Sequence, residues 1–305
     1  MNYVYFFLLA FCWGTAFVGV KYSVNTLDPY FSAFARVFIG FVFFTAWFLI
    51  TKKKIFLPRK EAWRPWLAGW LIMGVPFIFL YWGQQFIPAG TSGIFNGTVP
   101  LWVFIIAALT LKGQDAFTWR KAAGVVLGLA GLFLVMSPAI AKFADGAGQG
   151  KMVLYGSLSV LFMAFCYGAG NVLTRYILTK NITLEQNIFQ QHLFSAVFLF
   201  FVMILAGAKM PGKELLQPKL LFALFYVALV SSALALLLLF KLLKEWGALR
   251  ASLATYVVPF IALGSDFLIN GRVPTGYELA GMIIIILSLA LIQFDRTNKP
   301  QTGAH

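Results

Sequence analysis

Charge is scarce in this chain. Asp, Glu, Lys and Arg together make up 11% of it, against roughly 25% in soluble globular domains, so a soluble fold is excluded. Carboxylates are the scarcer sign, ten against 24 Lys and Arg, and none stands in the middle of an apolar run. That excludes an intramembrane acid pair and disfavours exchange of protons for lipophilic cations. Cysteine is limited to Cys12 and Cys166, both inside apolar runs, which argues against a disulfide or a metal site and for small-residue packing. Histidine is limited to His192 and His305. No HExxH, GxSxG or GxxxxGK[ST] motif occurs, so no catalytic residue, metal, nucleotide or other cofactor is expected and the chain does not read as an enzyme.

What is abundant is apolar sequence: 61% hydrophobic residues, 17% aromatic, and a mean hydropathy of +0.84. Ten runs of about 20 residues, each able to cross a hydrocarbon layer of about 30 Å, fall near 3–21, 30–51, 66–87, 91–111, 119–137, 152–175, 186–207, 219–240, 249–269 and 276–294. Segments such as "IIIILSLALI" lack the period-two alternation of membrane strands. The fold class predicted is therefore an all-α integral membrane protein, a bundle of ten transmembrane helices. The first run follows Met1 without a basic leader or a small-residue cleavage site, so a removable signal peptide is not expected.

The net charge of +14 is not gathered into one patch, as nucleic-acid binding would want; it alternates with loop parity. With the N-terminus cytoplasmic, the inner loops hold sixteen Lys and Arg and the outer loops seven. By the positive-inside rule this places both termini in the cytoplasm of a cell membrane. The basic loop "TKKKIFLPRKEAWR" dominates that count and suits contact with anionic lipid.

The chain also repeats itself. An offset of 154 lays "AFCWGTAFVGVKY" on "AFCYGAGNVLTRY", and an offset of 159 lays "PAGTSGIFNGTVPLWVFIIAAL" on "GALRASLATYVVPFIALGSDFL", bringing Pro100 onto Pro259. Five runs per half is an odd number, so the second half enters the membrane from the opposite side. Inverted repeats are a recurring architecture of secondary transporters, with the solute site near the midplane between halves. The expected organisation is a first repeat over 1–138, a Gly- and Ala-rich connector at 139–150, a second repeat over 151–296 and a polar tail at 297–305. GxxxG spacing at Gly93–Gly97 and Gly124–Gly128 is explained by close helix packing.

Polar side chains inside the runs are costly unless they face a cavity or a partner. Arg36 lies about a third of the way into the second run; it either snorkels or pairs structurally, or holds an anionic group. Gln190 and His192 lie about as deep from the other side, and His192 is either a proton-coupling group or a hydrogen-bonded packing residue. Asn96 and Thr98 stand about one turn before Pro100, and Tyr256 stands beside Pro259. Both prolines are expected to kink their helices and serve as hinges. Trp13 and Tyr167 coincide across the repeat, with Asn171 one turn from Tyr167. Tyr81, Gln84 and Gln85 share a face in "FLYWGQQF". An aromatic-walled cavity with a few amide donors suits a neutral or zwitterionic organic solute.

Four stretches carry a family likeness: "WGTAF" in the first run, Arg36 after "DPYFSAFA", "GTSGIFNGTVPLWVFIIA" in the fourth, and "ALRASLATYVVPFIALGSDFLINGRVPTGYELAGMIIIILSL" across the ninth and tenth. Over essentially its whole length the chain resembles the EamA-type members of the drug/metabolite transporter superfamily. The resemblance implies two inverted five-helix repeats, four helices of each half around a central cavity, and the fifth and tenth helices set to one side. It further implies export of a small metabolite, often an amino acid, without fixing which.

The expectation is thus a secondary transporter working by alternating access, with Trp13, Arg36, Tyr81, Gln85, Asn96, Tyr167, Asn171, Gln190, His192 and Tyr256 at the substrate site, and Arg36 or Gln190 on a carboxylate. Export of drugs or organic cations, and carriage of phosphorylated or nucleotide-linked solutes, are the alternatives within transport. A membrane scaffold or an intramembrane enzyme lies outside it. The partners expected are the small solute and the lipid bilayer, with no nucleic acid, in a monomer or homodimer.

Overall fold

The computed structural model describes residues 2–57, 59–110, 118–144, 148–178, 182–239, 241–242 and 254–293. Asp115, Glu245 and the tail 297–305 lie outside the described residues, as do the side chains of Arg175 and Tyr176. The described chain is helical and contains no strand. In order it forms α1 Asn2–Thr26, α2 Pro29–Ile50, α3 Lys60–Gly83, α4 Ala89–Thr110, α5 Trp119–Ala144, α6 Gly148–Leu178, α7 Leu184–Leu205, α8 Pro218–Leu239, α9 Ala254–Asn270 and α10 Gly276–Gln293. The first eight are long and apolar enough to cross a membrane, and α9 and α10 are shorter apolar helices. The protein is a ten-helix integral membrane protein.

Local chemistry sets several ends. Asp28 caps α2, accepting from Tyr30 N at 2.8 Å and Phe31 N at 3.4 Å, with Pro29 at the first helical position, where its missing donor costs nothing. Thr183 and Gln186 cap α7 reciprocally, and Thr275 and Glu278 do the same for α10, as expected for a T-x-x-[EQ] box. After α7 the chain turns at Gly207, whose φ of +62° is readily adopted only by glycine; Ala208 N then reaches back to Met203 O in the Schellman manner. The connector expected at 139–150 is largely helical instead: α5 continues to Ala144 and α6 begins at Gly148. Alanine-rich sequence favours helix, and Ala139 is buried in the bundle.

Several of the larger helix contacts are related by a two-fold exchange of each helix with the one five places along. The contact of α1 with α9 is matched by that of α6 with α4; α3 on α6 is matched by α8 on α1, and α2 on α8 by α7 on α3. The self-related pairs α2–α7, α4–α9 and α5–α10 are all in contact, the last most extensively. The exchange holds residue by residue. A methyl group added at Gly14 would stand 2.6 Å from Ile261, and one at Gly168 would stand 2.6 Å from Trp102. The offset of 154 carries Gly14 onto Gly168, and that of 159 carries Trp102 onto Ile261. Likewise a methyl at Gly124 meets Ile292 at 2.6 Å and one at Gly281 meets Val135 at 2.3 Å, a correspondence at an offset of 157. The recurring glycine of "AFCWG" and "AFCYG" is thus a close-approach residue, and Cys12 and Cys166 are buried beside it as small packing groups.

Candidate functional site

The middle of the bundle is organised around one cation. Arg36 stands seven residues beyond Asp28's first helical neighbour Pro29, about 10 Å along α2, and is only 8% exposed. It does not snorkel. Its guanidinium carbon lies 4.3 Å from the centre of the Phe77 ring on α3, a cation–π geometry, and its Nε donates to Ser232 Oγ on α8 at 3.2 Å. The Tyr81 side chain, one turn beyond Phe77, is a hydrogen-bonding neighbour of the guanidinium, and Tyr167 on α6 and His192 on α7 lie within its electrostatic reach. Phe77 links the tyrosines, with ring centroids 6.3 Å from Tyr81 and 6.4 Å from Tyr167. Five helices drawn from both halves therefore converge on Arg36.

No carboxylate lies within ion-pair distance of Arg36 among the described residues, where every ion pair involves Lys53 or Arg272. A buried charge without a counter-ion is expensive, and here only an aromatic face, a hydroxyl and a phenol offset that cost. Such an arrangement is chemically suited to receive an anion.

The other residues singled out in the sequence divide by distance from that centre. His192 is tied through Nδ1 to Ile188 O at 2.9 Å and packs edge-on to Phe44, and Gly40 lets its ring approach α2. Gln190 is occupied, accepting from Trp66 Nε1 at 3.0 Å and donating to Ile55 O. Tyr256 donates to Leu289 O on α10. Gln85 donates within its own turn to Trp82 O, while Lys21 Nζ caps the end of α3 through the carbonyls of Gln84 at 2.7 Å and Gln85 at 3.0 Å. Trp13 packs on the same apolar core as Tyr167. Asn96 is half-buried and Asn171 is exposed, and neither has a hydrogen-bond partner among the described residues.

Helix α4 is interrupted just before Pro100: Asn96 ends one segment, Val99 begins the next, and Thr98 Oγ1 donates back to Phe95 O at 2.6 Å. The helix containing Pro259 is continuous; its proline ring instead fills the space left by Gly97. Two irregularities were not anticipated. Residues Trp70–Gly74 in α3 and Tyr226–Leu234 in α8 are wound with i→i+5 bonding, a rare conformation frequent at functional positions. Each lies in the third helix of its half, and the second contains Ser232, which also donates to Val227 O at 3.0 Å.

At the end of the bundle opposite the start of α1, a second polar cluster sets one cation against two carboxylates. Arg272 donates to both oxygens of Glu278 at 2.9 Å and lies 3.8 Å from Asp266. Asp266 accepts from Gly90 N at 2.8 Å, placing a carboxylate at the N-terminus of α4, where Pro88 supplies no side-chain cap. Thr91 donates to Glu278. This cluster ties α4, α9 and α10 together. The T-x-x-E spelling of "TGYE" signalled part of it; the partnership of Asp266 with a different helix had no signal in the sequence.

The EamA-like transporter family matches residues 1–137 and again 154–294. Among curated relatives, the chain is 25% identical over 252 residues to an uncharacterized transporter of Bacillus subtilis (strain 168), YoaV, covering 82% of each chain. It is 22% identical over 295 residues to a probable amino-acid metabolite efflux pump of Salmonella typhimurium (strain LT2), covering 94% of this chain and 93% of that one. A solved crystal structure superposes with a TM-score of 0.62 at 18% identity, covering 95% of each chain, and so shares the fold.

Proposed function

The chain belongs to the EamA-like transporter family, a transporter and not an enzyme, and on that footing we propose that it is a secondary exporter of small carboxylate-bearing metabolites working by alternating access. The moving parts are the two five-helix halves, residues 1–138 and 151–296, rocking about the helices that meet at Arg36, in a cell membrane with both termini on the cytoplasmic side. Pro100, where α4 is interrupted, and the i→i+5 turns of α3 and α8 are the hinges, with Pro259 as the packing partner of the interruption at Gly97. The observation that carries this reading is Arg36: a guanidinium 8% exposed, held by residues of both halves and lacking a carboxylate among the described residues. A carboxylate arriving there completes the pair, with Tyr81 and Tyr167 beside it. The name of the Salmonella relative, an amino-acid metabolite efflux pump, supports amino acids and their derivatives as the group to try first. An organic cation is disfavoured because it would meet the Arg36 charge at short range in a low dielectric.

The experiment is counterflow into liposomes holding the purified protein, preloaded in turn with neutral, aromatic, acidic and basic amino acids, their derivatives, and one lipophilic cation. Accumulation driven by carboxylate-bearing solutes, with apparent affinity weakened about tenfold or more in Arg36→Gln, supports the reading. Exchange of the cation alone, or wild-type exchange in a well-folded Arg36→Gln protein, sinks it.

A further inference from the structure

Arg36 also bears on the charge of the solute, not only on its having a carboxylate. A free amino acid brings an ammonium group within about 3 Å of its carboxylate, so a site that grips one end must accommodate the other. An ammonium held away from water is best met by a carboxylate, which cancels its charge; hydroxyl and carbonyl oxygens and open aromatic faces are neutral and weaker acceptors.

The strongest of these, a carboxylate, is missing at the depth of Arg36. Of the ten carboxylates in the sequence, six are described, and all six stand at helix ends or in loops. Asp28 caps α2, Glu185 pairs with Lys53, and Glu214 accepts from Gly212 N. Asp266 and Glu278 are held by Arg272, and Glu61 lies in the first turn of α3. The remaining four, Asp115, Asp145, Glu245 and Asp295, fall between or after the apolar runs. No acid therefore stands at the depth of Arg36. Two carbonyls beside the irregular turns are already engaged: Val227 O accepts from Ser232 Oγ, and Phe95 O from Thr98. The aromatic face nearest the site, that of Phe77, is covered by Arg36 itself. An ammonium at this place would face a cation and find no anion, whereas a neutral acyl or oxo group would face the guanidinium and the phenol of Tyr81 as donors.

We propose that the solute carried at Arg36 bears a net negative charge, and that the site selects organic acids lacking a free ammonium, such as N-acylated amino acids and 2-oxo acids, over the parent zwitterions. This rests on the proposed carboxylate site and narrows it.

The test uses matched skeletons in the same liposomes: leucine, N-acetylleucine and 4-methyl-2-oxopentanoate, with the corresponding alanine and phenylalanine sets, each competing against counterflow of the best exchanged member. The expected result is that, in at least one set, the acyl or oxo acid exchanges with an apparent affinity at least tenfold better than the zwitterion. The ratio should persist in Arg36→Lys and fall toward unity in Arg36→Gln, with unfolding temperature in detergent confirming that both variants are folded. Equal or better exchange of the zwitterions overturns the charge selection while leaving the carboxylate reading in place. A tenfold ratio that survives unchanged in folded Arg36→Gln also overturns it, because the discrimination would then lie elsewhere. Failure of every carboxylate to exchange overturns both.

Discussion

Two arginines of this protein live in opposite electrostatic circumstances. Arg272, at the end of the bundle away from the start of α1, is bonded to both oxygens of Glu278 and lies beside Asp266, whose side chains are 5% and 3% exposed. Arg36, about 10 Å along α2, is 8% exposed and meets an aromatic ring and a hydroxyl. In the first, cation and anions are in contact, and the cluster fastens three helices. The second has no carboxylate within ion-pair distance among the described residues, and the carboxylate of the proposed solute is what would complete it. Counting buried charges alone would have ranked the two sites together; asking which of them holds opposite charges in contact separates them.

That contrast can be broken first on the Arg272 side. Arg272→Met should leave Glu278 and Asp266 buried without their counter-charge and destabilise the fold by about 3 kcal/mol or more, read as a lower unfolding temperature in detergent. Unchanged stability would mean that the cluster is not the fastening described. The next effect is on Arg36, where the sign should reverse. Arg36→Gln is expected to leave stability unchanged or raised, since an uncompensated charge is removed. Apparent affinity for carboxylates should drop about tenfold to a hundredfold, the equivalent of one charged hydrogen bond of about 1.5–3 kcal/mol. A large stability loss in Arg36→Gln would recast it as a structural ion.

A third comparison sets one half of the molecule against the other. Gly14→Ala and Gly168→Ala place a methyl group against Ile261 and Trp102 at the same 2.6 Å, and overpacking of this kind costs about 1–3 kcal/mol. The two variants should lose similar amounts of stability, and a clear inequality would show that the two-fold contacts are not energetically equivalent. The smallest expected change is Phe77→Leu, which removes the ring beneath the guanidinium at a cost of about 0.5–1 kcal/mol and should weaken carboxylate exchange by a few fold without altering the fold.

Much of the architecture was legible because it is written in short-range signals. The apolar runs, the break before Pro100 and the small-residue approaches at Gly93 and Gly124 each follow from residues adjacent in sequence. The site was legible only in part. Of the residues singled out, Tyr81, Tyr167 and His192 stand near Arg36, whereas Gln190 and Tyr256 are bonded elsewhere. Nothing in the chain announced Ser232 or the i→i+5 turns. Phe77 was hidden among 33 phenylalanines; its place one turn before Tyr81 was the available hint.

By itself the sequence determined the solvent and the count: a bilayer protein, ten crossings, and two copies of one plan running in opposite directions. These depend on hydropathy and self-similarity, which are properties of segments and need no partner to be read. Only the tertiary structure decided which charges meet. Arg36 and Ser232 are 196 residues apart, and Gly90 and Asp266 are 176 apart. Electrostatic energy depends on distance in space and on burial, and the packing of helices from both halves alone brings such groups together and removes the water between them.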